Sequence, residues 1–409
     1  MASDNRPGIG DLLADGQFVR VWLVGVCRGI SQWLEMLVAG IFAFELTGSP
    51  FMVALLFIVR LAPLTVLGSI VGAIADRTSP RLLLLAGFMF ACCVSGSVGL
   101  LLAAGVTDYV VVLFASVAAG IVWTSDMPVR RRILGDVAGK DRLVAAMGLD
   151  AATNHATRVL GPLAGGLIYQ FLGPAGAYLL TAALYLAAVI LVATLTAGAG
   201  AAAPRAARPR LAEQLREGFA FSLRNRDVLR FLLVTIAFNV WAFPFVTMIP
   251  VIGSEQLELS PGWIGALAAM EGAGAFVGCL ILAMGIVTLD PRRAYFFGTV
   301  LYMAFAFTAG LMAHALPMAL VLVCIGLGMS GFSTMQSTLV FQLAPPEMRS
   351  RLFGVIVICI GTGLIGVANM GLMGEWLGGA GAVRLVAAEG IAALVIIAAG
   401  WKELWERRR

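Results

Sequence analysis

The sequence predicts an all-α membrane protein, with twelve transmembrane helices arranged as two parallel six-helix halves. Three observations carry this: the composition, a series of apolar runs long enough to cross a bilayer, and basic residues that fall on alternate sides of those runs. Of the 409 residues 60% are hydrophobic and 12% charged, whereas a soluble domain carries about 25% charged residues. A water-facing surface cannot be assembled from so few polar groups, but a lipid-facing one can.

The chain opens with a polar stretch, Met1 to Arg20, containing Asp4, Asp11 and Asp15. It lacks the basic segment and short apolar core of a cleaved leader, so none is expected. Apolar runs follow near 20–46, 51–75, 82–104, 109–131, 146–170 and 175–196, then 229–252, 263–286, 294–313, 317–343, 352–374 and 381–401. About 20 residues cross the hydrocarbon core. Within lipid such runs must be helical, because each has to satisfy its own backbone groups.

Charge fixes the expected orientation. The N-terminus, the segments 76–81, 130–142, 197–230, 290–293 and 347–351, and the C-terminus hold 24 of the 28 Lys and Arg residues. The intervening connections hold none, and the other four, Arg28, Arg60, Arg158 and Arg384, fall inside spans. By the positive-inside rule both termini are cytoplasmic, in a bacterial-type inner membrane. The asymmetry also supports the count, since a missed span would scramble the alternation.

The longest connection, 197–228, opens as flexible and basic (AGAGAAAPRAARPR) and continues as LAEQLREGFAFSLRNRD, which reads as an amphipathic helix on the membrane surface. It separates a first bundle, 1–196, from a second, 229–409. Shifted by 205 residues, Gly166–Ala183 (GLIYQFLGPAGAYLLTAA) meets Gly371–Ala388 (GLMGEWLGGAGAVRLVAA) with 10 of 18 positions identical. The offset spans an even number of helices, so the halves run parallel, a recurrent transporter architecture with the site at the repeat interface.

Several motifs carry a family resemblance. GAIADRTSPR (72–81) resembles the major facilitator signature G-x-x-x-D-R-x-x-x-R after the second helix, with Ser79-Pro80 where the family usually has Gly-Arg. The resemblance makes Gly72, Asp76, Arg77 and Arg81 parts of a cytoplasmic gate latch. RVLGPLAGG (158–166) resembles the G-P-x-x-G-G element of the family's antiporters, at Gly161, Pro162, Gly165 and Gly166. FELTGSP (44–50), REGFAFSLRNRDVLRFLL (216–233), FPFVTMIPVIGSEQLELSPGWIGAL (243–267) and PPEMRSRLFG (345–354) look like the branch that holds the enterobactin exporter and macrolide and tetracycline efflux proteins. The resemblance implies the major facilitator fold and transport, not a particular substrate.

Ionisable side chains inside a bilayer cost at least about 2.5–3.5 kcal/mol each, so they are functional candidates. Span 1 places Arg28, Gln32 and Glu35 on one helical face, expected to point inward. Span 2 adds Arg60, and span 5 adds Asp150, Asn154 and Arg158 at steps of four. Span 4 has Asp126 and Arg130, read as gate residues near the cytoplasmic boundary. The second half contributes Asn239, Glu271 and Glu389. Glu35 and Glu271 have no partner visible in the local sequence, so they are the expected proton carriers. The other buried polar residues are expected to line a substrate cavity; arginines cannot give up their protons and suit the holding of acids or of an anionic substrate group.

The six cysteines, Cys27, Cys92, Cys93, Cys279, Cys324 and Cys359, lie in apolar runs without a C-x-x-C, and His155 and His314 are far apart. No metal or cofactor is expected. GLGMSG (326–331) and GTGLIG (361–366) fit a dinucleotide fingerprint but follow no strand, so they read as helix-packing glycines. No phosphate-binding G-x-x-x-x-G-K-S/T occurs. The expected function is proton-coupled export of a small amphipathic molecule, siderophore-like or drug-like, by alternating access. The expected partners are that substrate, protons and membrane lipid, with no nucleic acid and a monomeric state. The alternatives are an importer or lipid flippase of the same fold, or a membrane sensor; an enzyme is not expected.

Overall fold

The computed structural model describes residues 9–196, 211–287, 290–401 and 404; the side chains of 64–77, 128, 140, 144, 211, 212 and 214 are outside the description. Among the described residues every regular element is helical. The order is α1 (Ile9–Leu13), α2 (Gly16–Thr47), α3 (Pro50–Arg77), α4 (Pro80–Ala103), α5 (Tyr109–Ala193), α6 (Leu211–Arg224), α7 (Arg226–Ala237), α8 (Ile249–Glu255), α9 (Pro261–Ala283), α10 (Pro291–Ala309), α11 (Ala315–Leu343), α12 (Pro346–Gly361) and α13 (Gly363–Ala399). A π-helical turn, Phe238–Ala242, and a 3-10 stretch, Phe243–Met248, join α7 to α8.

Eight segments are long and apolar enough to cross a membrane, the longest being Asp141–Ala193 and Pro346–Ala399. These two fold back at single glycines, Gly173 (φ 67°, ψ −174°) and Gly378 (φ 69°, ψ 166°). Only glycine adopts that backbone region readily. Dividing them there, and adding Pro50–Arg77 and Pro291–Ala309, gives the twelve expected helices among the described residues. The two glycines are 205 residues apart, the offset of the sequence repeat. Their surroundings also match, since a Cβ on Gly176 or Gly381 would strike Leu172 or Leu377. The repeat is therefore a repeated helix–turn–helix.

The basic segments differ from expectation. Residues 130–138 continue the helix begun at Tyr109 as far as Gly139 (φ 72°), and 347–351 form the first turns of α12. Hydropathy marks where the apolar part of a helix ends, whereas the hydrogen-bonded helix runs on wherever charged side chains can leave the hydrocarbon.

The chain divides into two compact units. The first holds Met1–Phe42 and Val59–Pro204, the second Ala43–Ile58 and Arg205–Arg409. In the first, α4 packs along α5 over a core that includes Phe18, Val21, Leu84, Phe88, Val122, Ile133 and Tyr185. In the second, α9 and α10 both pack on α11. The expected packing glycines are found here: Gly326 faces the Glu271 carbonyl, and Gly328 and Gly331 face the backbone of α10. Helices in lipid associate through such close approaches, because lipid offers no hydrophobic drive. Also in the second unit, the Glu375 carboxylate caps the start of α3, accepting from Ser49 Oγ and, at 3.1 Å, from Phe51 N.

The amphipathic linker helix is α6. One face rests on α12, with Gly218 against the Arg351 backbone and Glu217 Oε2 paired to Arg351 Nε at 2.7 Å. Its other face exposes Phe219 and Leu223. The stretch 197–210 lies outside the described residues.

Candidate functional site

In the first unit a chain of buried charges crosses three helical stretches. On α2, Arg28, Gln32 and Glu35 are all buried, as a common inward face requires. Arg28 Nε pairs with Asp126 Oδ2 at 2.8 Å, and Arg130 Nε lies 3.7 Å from Asp126 Oδ1. Arg130 then donates from Nη1 to Asp150 Oδ1 at 2.5 Å, and Arg131 from Nε to Asp150 Oδ2 at 2.9 Å. Arg28, Asp126, Arg130 and Asp150 are each at most 7% exposed. Asp126 and Arg130, expected as gate residues, are members of this buried chain: Gly25 leaves room on α2 for the Arg130 guanidinium, and Arg28 reaches across from the same helix.

Glu35, which has no partner in its local sequence, finds one on the next helix: Arg60 Nη2 donates to its Oε2 at 3.3 Å and to the Gln32 carbonyl at 3.5 Å. The Ser95 hydroxyl of α4 is a further hydrogen-bond partner of the carboxylate. The local sequence could not show this pair, because Arg60 lies 25 residues away on the next helix.

α2 and the 140–172 stretch of α5 touch backbone to backbone through the predicted glycine motif. A Cβ on Gly161 would meet Trp33 Cβ at 2.6 Å, and one on Gly165 would meet the Leu34 backbone at 3.2 Å. Gly166 and Pro162 are also buried, and the backbone stays helical through Pro162. The contact sets the Arg158 guanidinium over the Trp33 ring, 4.8 Å from its centroid. Asn154, expected beside Asp150 and Arg158, is exposed.

Of the expected gate latch, Gly72, Asp76 and Arg77 close α3, and their side chains lie outside the described residues. Arg81 is described, and it binds the end of α5. Its Nε donates to the Val192 carbonyl at 3.2 Å and its Nη2 to the Ala193 carbonyl, at the C-terminus of α5. A cation on the last carbonyls of a helix is a C-cap.

In the second unit Glu271 is 1% exposed. Asn239 sits in the π-helical turn with its amide donated back to the Thr235 carbonyl at 2.8 Å. The turn has a chemical cause: Pro244 has no N–H to offer the Val240 carbonyl and its ring would clash there, so the helix widens. Glu389 is exposed rather than buried, and accepts from Trp241 Nε1 at 3.1 Å. An aromatic core fills the bundle. Phe238 stacks on Phe332 at 3.7 Å, Tyr295 on Phe332 at 4.9 Å, and the Tyr295 hydroxyl meets Thr235 Oγ1 at 2.8 Å.

Sequence reasoning missed Ser95, Arg131, Tyr178 and Tyr185 around the charge chain. The tyrosines, seven residues apart, share one helical face, a spacing that could have marked them. Ser95, a lone hydroxyl in an apolar run, offers no such pattern.

The helical halves, the internal repeat and the buried ion pairs define a polytopic membrane protein of the secondary-transporter class. The Major Facilitator Superfamily family model matches residues 21–368, and the chain belongs to that superfamily. It is a transport protein, not an enzyme. Its fold resembles that of the nucleoside transporter NupG (13% identity, TM-score 0.73, covering 96% of this chain and 100% of that one). It also resembles the POT family transporter PepTSo (12%, TM-score 0.75, 96% and 99%). A third likeness is to a bacterial homolog of the human lysosomal transporter Spinster, in an inward-facing, unoccupied conformation (17%, TM-score 0.69, 94% and 95%). Identities this low speak for the fold alone. No curated protein sequence matches the chain.

Proposed function

We propose that this transporter is a proton-coupled exporter of a small amphipathic molecule, working by alternating access, with Glu35 as its main coupling acid. The observation that carries the reading is the Glu35–Arg60 pair, buried in the first unit and held by groups from three helices. A buried ion pair is a poor source of stability, since desolvation offsets much of its attraction. Such a pair is suited to a switch. Arginine keeps its charge and a carboxylate does not, so protonation of Glu35 turns an attracting pair into a lone cation beside a neutral acid. That change differs in free energy between two conformations if only one of them keeps the pair, and differential free energy is what shifts a conformational equilibrium.

Glu271 is the second candidate carrier, by virtue of its burial. Arg28, Gln32, Asn154, Asp150 and Arg158 of the first unit and Asn239 and Glu389 of the second are proposed to serve substrate recognition. The Gly72–Arg77 end of α3 keeps its proposed role as a cytoplasmic latch, while Arg81 is assigned to capping. Export is favoured by the sequence resemblance to efflux proteins. The protein is proposed to act as a monomer in the inner membrane, with both termini cytoplasmic.

The test begins with a thermal-shift screen of purified protein against siderophores, antibiotics and lysolipids, since a ligand that binds the native state raises the melting temperature. A hit is then followed in inverted vesicles. Accumulation driven by an inward-acid gradient, lost in Glu35→Gln while substrate-for-substrate exchange survives, is the expected result. Accumulation in right-side-out vesicles alone would assign import. Undiminished accumulation in Glu35→Gln and Glu271→Gln would remove both acids from coupling.

A further inference from the structure

Tyr178 lies in the 174–193 stretch of α5, is 1% exposed, and is among the largest fully buried side chains of the protein. Among the described residues its hydroxyl has no hydrogen-bond partner. A buried hydroxyl without a partner has lost its bonds to water and gained nothing for them. Phenylalanine would fill the same space without that loss.

The idle hydroxyl is not placed at random. Its turn of α5 packs against the turn of α4 that carries Ser95, the hydroxyl bonded to Glu35: a Cβ on Gly99 would meet Leu179 Cγ at 2.8 Å, and one on Gly96 would meet Ala182 Cβ at 3.7 Å. A second idle group belongs to the same pair, since Arg60 Nε is buried and also has no acceptor among the described residues. The pair itself is long: 3.3 Å between Arg60 Nη2 and Glu35 Oε2, against about 2.7–2.9 Å for a well-made charge-assisted bond. A loose ion pair thus has a spare donor on the arginine and a spare hydroxyl nearby.

We propose that Tyr178 is a positioning residue for Glu35, its hydroxyl being the second partner that receives the carboxyl group when the Arg60 pair opens. The chemistry of the two partners differs in the required way. Arg60 can only donate, so it holds the carboxylate and has little to offer the protonated acid. A phenol donates to a carboxylate and accepts from a protonated acid, so it serves both forms. Among the described residues, the charged and titratable groups that interact with Glu35 are Arg60 of α3 and Tyr178 and Tyr185 of α5, with the Ser95 hydroxyl of α4 bonded to it. On its own helix lie Gln32 and Arg28, and Arg28 is engaged by Asp126. The inference rests on the reading of Glu35 as the coupling acid.

Infrared difference spectra of the purified protein between acidic and neutral pH test it without a known substrate. The carbonyl band of protonated Glu35 is identified by its loss in Glu35→Gln. In Tyr178→Phe the band should be displaced, while the melting temperature stays at the wild-type value or rises, because the hydroxyl is idle in the present state. In vesicles the pH midpoint of gradient-driven transport should move by about one unit, a tenfold change in protonation equilibrium. A Glu35 band that is present and unmoved in Tyr178→Phe overturns this inference alone. The absence of any Glu35-dependent band overturns the coupling reading and this inference with it. A marked drop in melting temperature would make the hydroxyl a structural partner and likewise overturn it.

Discussion

Removal of the Asp150 carboxylate isolates the energetics of the buried charge chain. Asp150 accepts from Arg130 at 2.5 Å and from Arg131 at 2.9 Å, and only 4% of its side chain is exposed. The two bonds are not equal. The Arg131 side chain is 41% exposed, and an ion pair open to solvent contributes about 0–1 kcal/mol. Arg130 is 6% exposed, and without Asp150 its nearest acid is Asp126 at 3.7 Å. Leaving one member of a buried pair behind costs about 3–5 kcal/mol. Asp150→Ala should therefore lower stability by about that amount, nearly all of it through Arg130. At roughly 2–4 °C per kcal/mol for a unit of 150–250 residues, the melting temperature should fall by roughly 6–20 °C. Tryptophan-fluorescence melting in detergent measures this. A second substitution, Arg130→Met in the same background, should recover much of the loss, since it removes the stranded charge. Arg131→Met should recover little. A fall in Asp150→Ala of less than about 2 °C, or equal rescue by the two arginine substitutions, would refute the assignment of the cost to a stranded Arg130.

Three further outcomes are expected. Arg81→Ala removes two bonds to the last carbonyls of α5, so it should cost about 1–2 kcal/mol; transport abolished at unchanged melting temperature would restore Arg81 to the gate. Gly173→Ala and Gly378→Ala force a side chain into a backbone region open essentially to glycine, costing about 1–3 kcal/mol each, and matched losses in melting temperature would confirm that the two turns are equivalent. For orientation, a cysteine at Trp263, which is 65% exposed, should be labelled by an impermeant thiol reagent in intact spheroplasts lacking native cysteines. One at Ser79 should be labelled only in broken membranes, and the reverse pattern would invert the topology.

The helices were legible in the sequence because hydrophobicity is what lipid selects. Their ends were not. The charge of segment 130–142 predicts a loop there, yet its first nine residues are helical, because a helix continues past the hydrocarbon wherever its side chains meet water or partners. The turns at Gly173 and Gly378 were half visible. The repeat aligned them, but only the φ angles near 67–69° show that one residue suffices to reverse the chain.

The candidate site was legible by residue type and illegible by pairing, and the reason is geometric. Period and burial follow from neighbours three and four residues apart, so the face carrying Arg28, Gln32 and Glu35 could be read directly. Partners come from other helices. The Arg60 that holds Glu35 is 25 residues away, and the Asp126 that holds Arg28 is on α5. A sequence shows that a charge is buried, and physics then requires a partner, but which partner depends on helix packing. That packing is set by small residues whose role the sequence signals only weakly. Gly161 and Gly165 bring α2 against α5, and Gly120 brings α5 against the Arg60 backbone. A Cβ on Gly120 would strike the Arg60 carbonyl, so Gly120→Ala should push the Arg60 backbone away and displace the infrared carbonyl band of protonated Glu35; a band left unmoved would refute a part for this seam in holding the pair.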